Sequence, residues 1–394
     1  MRAAPVLLLL AGAACSRAHD DPPAPVPAPA VVLHAPPTTS PSIALSNLHG
    51  EIADREKRAA TGEVDAQVEL VPRYEMRARF EGRVTDLVAA DDTSARLLAA
   101  HPGDPRAHLA RAVALSSIHA FAGALQELDE AARLKAEPTE VARERSAIFL
   151  ATGREDEARA LLPPVLEGSP PSDTAMRAGV EARCGNAAES ERLFELARAS
   201  YHDVSPFTMA WMDFERARAL ELGGDRARAR AYLEEAVTVL PGYVHASVHL
   251  ASLEAPDRAL VRLEVLGKTS DDPDVLAGQA DALRRAGRAD EATAMAARAR
   301  ARFEEVLARL PLAYADHAAS FYLGSGRDAA RALELARTNA RNRPTDEALE
   351  LWLTAAQAAA SSVDTCDAAA ALATRPHAPG ALRDRAAAAR RGCP

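Results

Sequence analysis

Aromatic residues make up only 4 % of this 394-residue chain, and lysine occurs at three positions alone, Lys57, Lys135 and Lys268. Nearly all positive charge is therefore arginine, interleaved with acid to a net charge of −9. That pattern excludes the clustered basic face that nucleic acid or an anionic membrane requires. Strict alternation of apolar and polar residues is missing too, so no strand is expected. No apolar run approaches the ~20 residues of a membrane-spanning helix. Gly-rich phosphate loops of the P-loop or dinucleotide kind are absent. What abounds is alanine, the best helix former, within an apolar content of 48 % that is normal for a folded protein.

The first residues read as an address. Arg2 is a minimal charged start, and Pro5 to Ala14 is a short apolar core containing Leu7-Leu8-Leu9-Leu10. Such a core cannot cross a bilayer but suffices for a signal peptide. Gly12-Ala13-Ala14-Cys15 follows. It resembles the bacterial lipoprotein signal, in which small residues precede the cysteine that receives lipid, although Gly12 stands where that family usually has Leu. Plain secretion, with cleavage near Ala13 or Ala14, is the alternative. The resemblance implies a signal peptide over 1–14, a lipid anchor on Cys15 and, with Ser16 rather than Asp next, sorting to the outer membrane, facing the periplasm. Residues 15–41 would form the tether, because Asp20 to Pro29 is Pro-rich and cannot build a core.

Beyond the tether, prolines recur at Pro105, Pro138, Pro171, Pro206, Pro241, Pro273, Pro311, Pro344 and Pro379, in steps of 32 to 38 residues. That period means an array of helix pairs. Asp104-Pro105, Ser205-Pro206 and Asp272-Pro273 have the form of a helix start, a capping side chain followed by proline in the first turn. Within each unit a second helix follows a glycine: Gly153, Gly185, Gly224, Gly287 or Gly326. Small residues are paired twelve apart across the two helices, at Ala112/Ala124, Ser146/Ala158, Ala178/Ser190, Ala217/Ala229, Ser247/Ala259, Ala280/Ala292 and Ser320/Ala332, the last with one residue inserted after Gly326. Helices approach closely only where small side chains meet.

These features resemble the tetratricopeptide repeat, which implies an all-α, right-handed α-solenoid. Residues 105–344 divide into seven repeats. Residues 42–104 precede them as N-terminal helices, including a worn unit from residue 72 with Tyr74, Phe80, Leu87 and Leu97-Leu98 as its apolar face. Residues 345–394 follow as capping helices, a worn unit and a closing pair.

Catalytic constellations are not evident, so no enzyme activity and no cofactor is expected. His245 and His249 share one helix face, half of a metal site, without the Glu beside the first His that a zinc protease needs. A small-ligand or metal site there, or an envelope enzyme activity on the repeat scaffold, is the competing reading to a scaffold, and a purely structural spacer is a third. Gly324-Ser325-Gly326 serves an inter-helix turn, and Cys184, just before Gly185, reads as a packed residue rather than a reactive thiol. Cys366 and Cys393 are expected to form a disulfide. Each borders a helix of about ten residues on either side of the Pro376–Gly380 turn, which brings their far ends together. Two free thiols are the alternative.

The tetratricopeptide resemblance implies a concave surface that holds a protein or peptide partner. The subtype that clamps a carboxylate with lysine is poorly matched, since Arg143, Arg218 and Arg284 replace lysine only in part. The groove is expected to centre on the unit at Pro206, where Tyr201, Phe207, Trp211, Phe214, Tyr232 and Tyr243 crowd together. Trp211, Phe214 and Arg218 would line it, with Tyr314, His317 and Phe321 on the corresponding face of a later unit. The alternative is a rotated helix with Trp211 and Phe214 in the core.

Overall fold

The computed structural model describes residues 37–393. The proposed signal peptide, Cys15 and most of the tether lie outside the described residues. Among the described residues there are helices and no strand. None of the helices is long and apolar enough to cross a membrane.

Three helices open the array: α1 (Pro41–Ala60), α2 (Val64–Glu81) and α3 (Val84–Ala100). Seven pairs follow: α4 (Pro105–Ser117) with α5 (Phe121–Arg133), α6 (Pro138–Ala151) with α7 (Glu155–Leu161), and α8 (Pro171–Arg183) with α9 (Ala187–Ala199). Next come α10 (Pro206–Leu222) with α11 (Arg226–Val239), α12 (Val244–Leu253) with α13 (Pro256–Leu266), α14 (Pro273–Arg285) with α15 (Ala289–Arg309), and α16 (Ala315–Leu323) with α17 (Ala329–Asn342). The last pair is α18 (Asp346–Ala358) with α19 (Ser362–Ala373), closed by α20 (Gly380–Arg390). The architecture is an α-solenoid of tetratricopeptide-like pairs.

The small residues sit where the helices cross. Ala112, Ala124, Ala178, Ala217, Ala229, Ala259 and Ala280 are all essentially inaccessible. At one crossing the approach is close enough for the Ser146 hydroxyl to donate to the Ala158 carbonyl at 3.0 Å. Left-handed residues end the first helices at Gly153, Gly185, Gly224 and Gly287, and His119 takes that conformation in α4/α5.

Four expectations need correction. Ser320 is exposed, whereas Ala319 is fully buried, so the seventh pair is Ala319/Ala332, thirteen apart. Its turn carries one extra residue, and Arg327 rather than Gly326 adopts the left-handed conformation (φ 49°). Pro72 does not start a unit: it lies inside α2, which begins eight residues earlier at Val64. The C-terminal cap is one pair and a single helix rather than two pairs.

The solenoid winds back onto itself. The turn after α2 meets the loop before α14: Val84 N–H donates to Asp271 Oδ1 at 2.5 Å, and Ser270 Oγ to the Gly82 carbonyl at 2.8 Å. With α4/α5 counted as the first pair, α16/α17 is the seventh, six pairs on. There Asn342 donates to the His119 carbonyl at 2.9 Å. The next pair, α6/α7, meets α18/α19 through Arg375, which donates to the Gly153 carbonyl at 2.6 Å and pairs with Glu155 and Asp346. Gly82 and Gly153 are required at this seam for two reasons. Both have positive φ (59° and 71°), and a Cβ would lie 2.6 Å from Ser270 Oγ or 2.5 Å from the Pro344 carbonyl oxygen. The chain before α1 is held as well, with Thr39 N–H donating to the Val204 carbonyl at 2.7 Å.

Candidate inner groove

Because the array closes within about one turn, its first helices face a shared interior. In α10 the residues that stay half-exposed include Trp211, Glu215, Arg218 and Leu222, spaced by three or four and therefore on one face. The opposite faces, with Met209, Ala210, Ala217 and Leu220, are buried against neighbouring helices.

Side chains from the other first helices reach the same space. Arg79 of α2 acts electrostatically on Glu75, on Glu144 of α6, and on Tyr243 and His245 at α12. Glu215 acts on Tyr243 and on Arg183 of α8. Arg183 in turn pairs with Glu347 of α18 at 2.7 Å, and Arg218 also acts on Glu347. His317 of α16 pairs with Asp274 of α14. Acid and base are thus mixed around the interior, without a single-sign field.

Several of these groups titrate abnormally. Burial pushes the Glu75 carboxyl up to about 7, the nearby Ser117 hydroxyl acting against it and the Glu144 carboxylate adding to the rise. Burial also drives His245 down to about 4, helped by the charge on His317. For His317 itself burial acts downward, but Asp274, Asp316 and Asp272 outweigh it and hold the ring at about 10. Glu347 is held at about 2 because Arg183, with Arg218 behind it, overcomes an upward push from burial.

The expected partner-contacting residues divide. Trp211 and Arg218 lie on the half-exposed stripe of α10, and Arg218 donates to Glu221 at 2.6 Å. His317 keeps 38 % of its side chain exposed. Phe214, Tyr314 and Phe321 are buried and offer no surface to a partner. Phe214 is covered by Tyr243 and His249, with ring centroids at 5.3 and 5.5 Å. Tyr314 instead donates its hydroxyl to Asp272 at 3.1 Å, and Phe321 stacks on Phe303 at 5.0 Å. The displaced small residue explains the last two. With Ala319 in place of Ser320, the face of α16 turns by about 100° relative to expectation.

Sequence reasoning missed Glu144 and Glu215, which share a register with His245 and His317: each of the four stands two positions before the small crossing residue of its helix, namely Ser146, Ala217, Ser247 and Ala319. That register is readable once the small residues are aligned. Arg79, Arg183 and Glu347 carry no such mark.

His245 and His249 do not converge on one point of coordination. His249 Nδ1 lies 3.3 Å from Glu221, while His245 Nε2 lies 3.9 Å from Asp272. Ser325 of the Gly324–Gly326 turn donates to Asp281. Cys184 is buried, and the structure joins Cys366 to Cys393 as a disulfide with Cα atoms 5.7 Å apart.

No family model and no curated protein matches the chain. Solved structures with a similar chain path include the human IFIT1 dimer with m7Gppp-AAAA, at 15 % identity, covering 85 % of this chain and 84 % of that one, with a TM-score of 0.40. The yeast Tom70 structure is 12 % identical, with 83 % and 85 % covered and a TM-score of 0.29. The APC/C hetero-tetramer Cut9-Hcn1 is 10 % identical, with 88 % of each chain covered and a TM-score of 0.32. Likeness at this level says nothing of what the chain binds.

Proposed function

We propose that the chain is a scaffold of the cell envelope, tethered to the outer membrane through lipid on Cys15, that holds a protein or peptide partner on the inner face of its solenoid without catalysis. The observation that carries the binding reading is convergence: α2, α6, α8, α10, α12, α14, α16 and α18 each direct a charged or imidazole side chain into one interior. A chain stabilised only for rigidity gains nothing from concentrating ionisable groups there, since desolvating them costs free energy. A peptide offers both charge signs and backbone donors and acceptors, which suits a lining of mixed sign. Trp211 supplies the adjacent aromatic surface, and aromatic residues beside arginine dominate binding energy at protein interfaces.

The test uses peptides selected from a random display library against the full chain. Trp211→Ala and Arg218→Ala should each weaken a selected peptide by at least ~10-fold, the loss typical of truncating an interface anchor. Arg192→Ala, on the exposed face of α9, should leave it unchanged. Peptides indifferent to both groove variants would overturn the reading.

A further inference from the structure

The seam where the solenoid closes also gathers three metal-ligating side chains from three separate segments. Asp156 lies in the first turn of α7, Cys184 caps the end of α8, and His377 sits in the turn between α19 and α20. Their ligand atoms all lie within 4.8 Å of one another, and this is the one such group of three among the described residues. His377 Nε2 is 3.2 Å from both carboxylate oxygens of Asp156. We propose that Asp156, Cys184 and His377 form a zinc-type site, a clasp that fixes the late end of the solenoid to its early units.

Geometry and chemistry both favour this over a lone ion pair. Tetrahedral ligands at about 2.0–2.3 Å from zinc stand roughly 3.3–3.7 Å apart. The Asp156–His377 spacing already matches, and with a 4.8 Å limit the sulfur has at most about 1.5 Å to close. A thiolate, an imidazole and a carboxylate make a borderline-soft set suited to zinc rather than to calcium or magnesium. Asp156 is exposed and His377 keeps 22 % of its side chain accessible, so an ion can enter from solvent, while the Cys184 sulfur approaches from the packed side. On binding, the Cys184 thiol releases its proton to water and the sulfur becomes the anionic ligand. Three protein ligands leave one tetrahedral position for water.

The ion would tie Cys184 to His377, 193 residues later (377 − 184), beside the Arg375–Glu155 pair. The proposal is independent of what the inner groove holds.

The experiment titrates Co²⁺ and Zn²⁺ into untagged, metal-stripped full chain. The expected result is one Co²⁺ per chain with a thiolate-to-cobalt charge-transfer band, displaced by Zn²⁺, and a melting temperature that rises with Zn²⁺. Cys184→Ser should abolish the band. His377→Gln and Asp156→Asn should each weaken binding by at least ~10-fold, because losing a ligand costs no less than losing a partner of one. Neither His377 nor Asp156 is part of the core, so these two variants keep the test valid if Cys184→Ser misfolds. Co²⁺ binding without the band, or binding unaffected by His377→Gln, would show that Asp156 and His377 form only an ion pair.

Discussion

The guanidinium of Arg375 donates to the carbonyl of Gly153 across 222 residues of sequence. The same side chain pairs with Glu155 and Asp346, all three being largely buried, so the two ends of a solenoid turn are joined by a desolvated charge cluster. Such contacts give the array a tertiary closure that nearest-neighbour stacking alone does not supply.

Gly153 tests that closure. Alanine there meets a left-handed backbone, worth about 1 kcal/mol, and a backbone carbonyl at 2.5 Å that cannot swing aside. Gly153→Ala should therefore cost about 2–3 kcal/mol. Gly185 has the same backbone conformation (φ 78°) but open space around it, so Gly185→Ala should cost only ~1 kcal/mol. Urea denaturation of the two variants reads the difference. Equal losses would mean that the seam contributes nothing.

The repeat was legible because its signals are local. Prolines start five of the seven first helices, left-handed glycines follow four of them, and small pairs twelve apart hold in six, the seventh being Ala319/Ala332. Closure was not legible, because Gly82 with Ser270, His119 with Asn342 and Gly153 with Arg375 meet across more than one hundred residues and share no period. The exposed faces of the first helices were half legible for the same reason. Trp211 and Arg218 follow from the helical face of α10. Phe214 is buried by Tyr243 and His249 of the next pair, which the pattern of α10 cannot show. For Tyr314 and Phe321 the cause is the crossing residue, Ala319 rather than Ser320, which sets α16 in a different register from the one assumed.

The Cys366–Cys393 disulfide spans 27 residues and encloses the end of α19 and all of α20. Its reduction should destabilise the terminal cap by about 3–4 kcal/mol on the chain-entropy account. Mass spectrometry of unreduced, alkylated protein checks the bond, and urea titration with and without reductant checks its effect. Alkylation at both positions without reduction would refute it.

Lipid on Cys15 should place the protein in the membrane fraction, and Cys15→Ser should release it to the soluble one. Cell fractionation with immunoblotting decides this. A wild type already found in the soluble periplasm would favour plain secretion.

His317 sits among Asp272, Asp274 and Asp316, and its cation balances carboxylates that otherwise repel one another. His317→Gln keeps a donor of similar reach and removes the charge. A fully buried pair broken in this way costs ~3–5 kcal/mol, but 38 % of this side chain is exposed, so about 1–2 kcal/mol is expected near pH 6. The sign of the pH dependence follows from the raised pKa. Folded His317 holds its proton up to about 10, against an ordinary value of 6.5. Its contribution is therefore complete below pH 6.5 and is lost as the pH rises through about 10. Urea midpoints of wild type and variant should differ most at pH 6 and converge towards pH 10. A gap that stays constant over that range would mean that the ring acts through packing, and the electrostatic account of the inner groove would lose its strongest member.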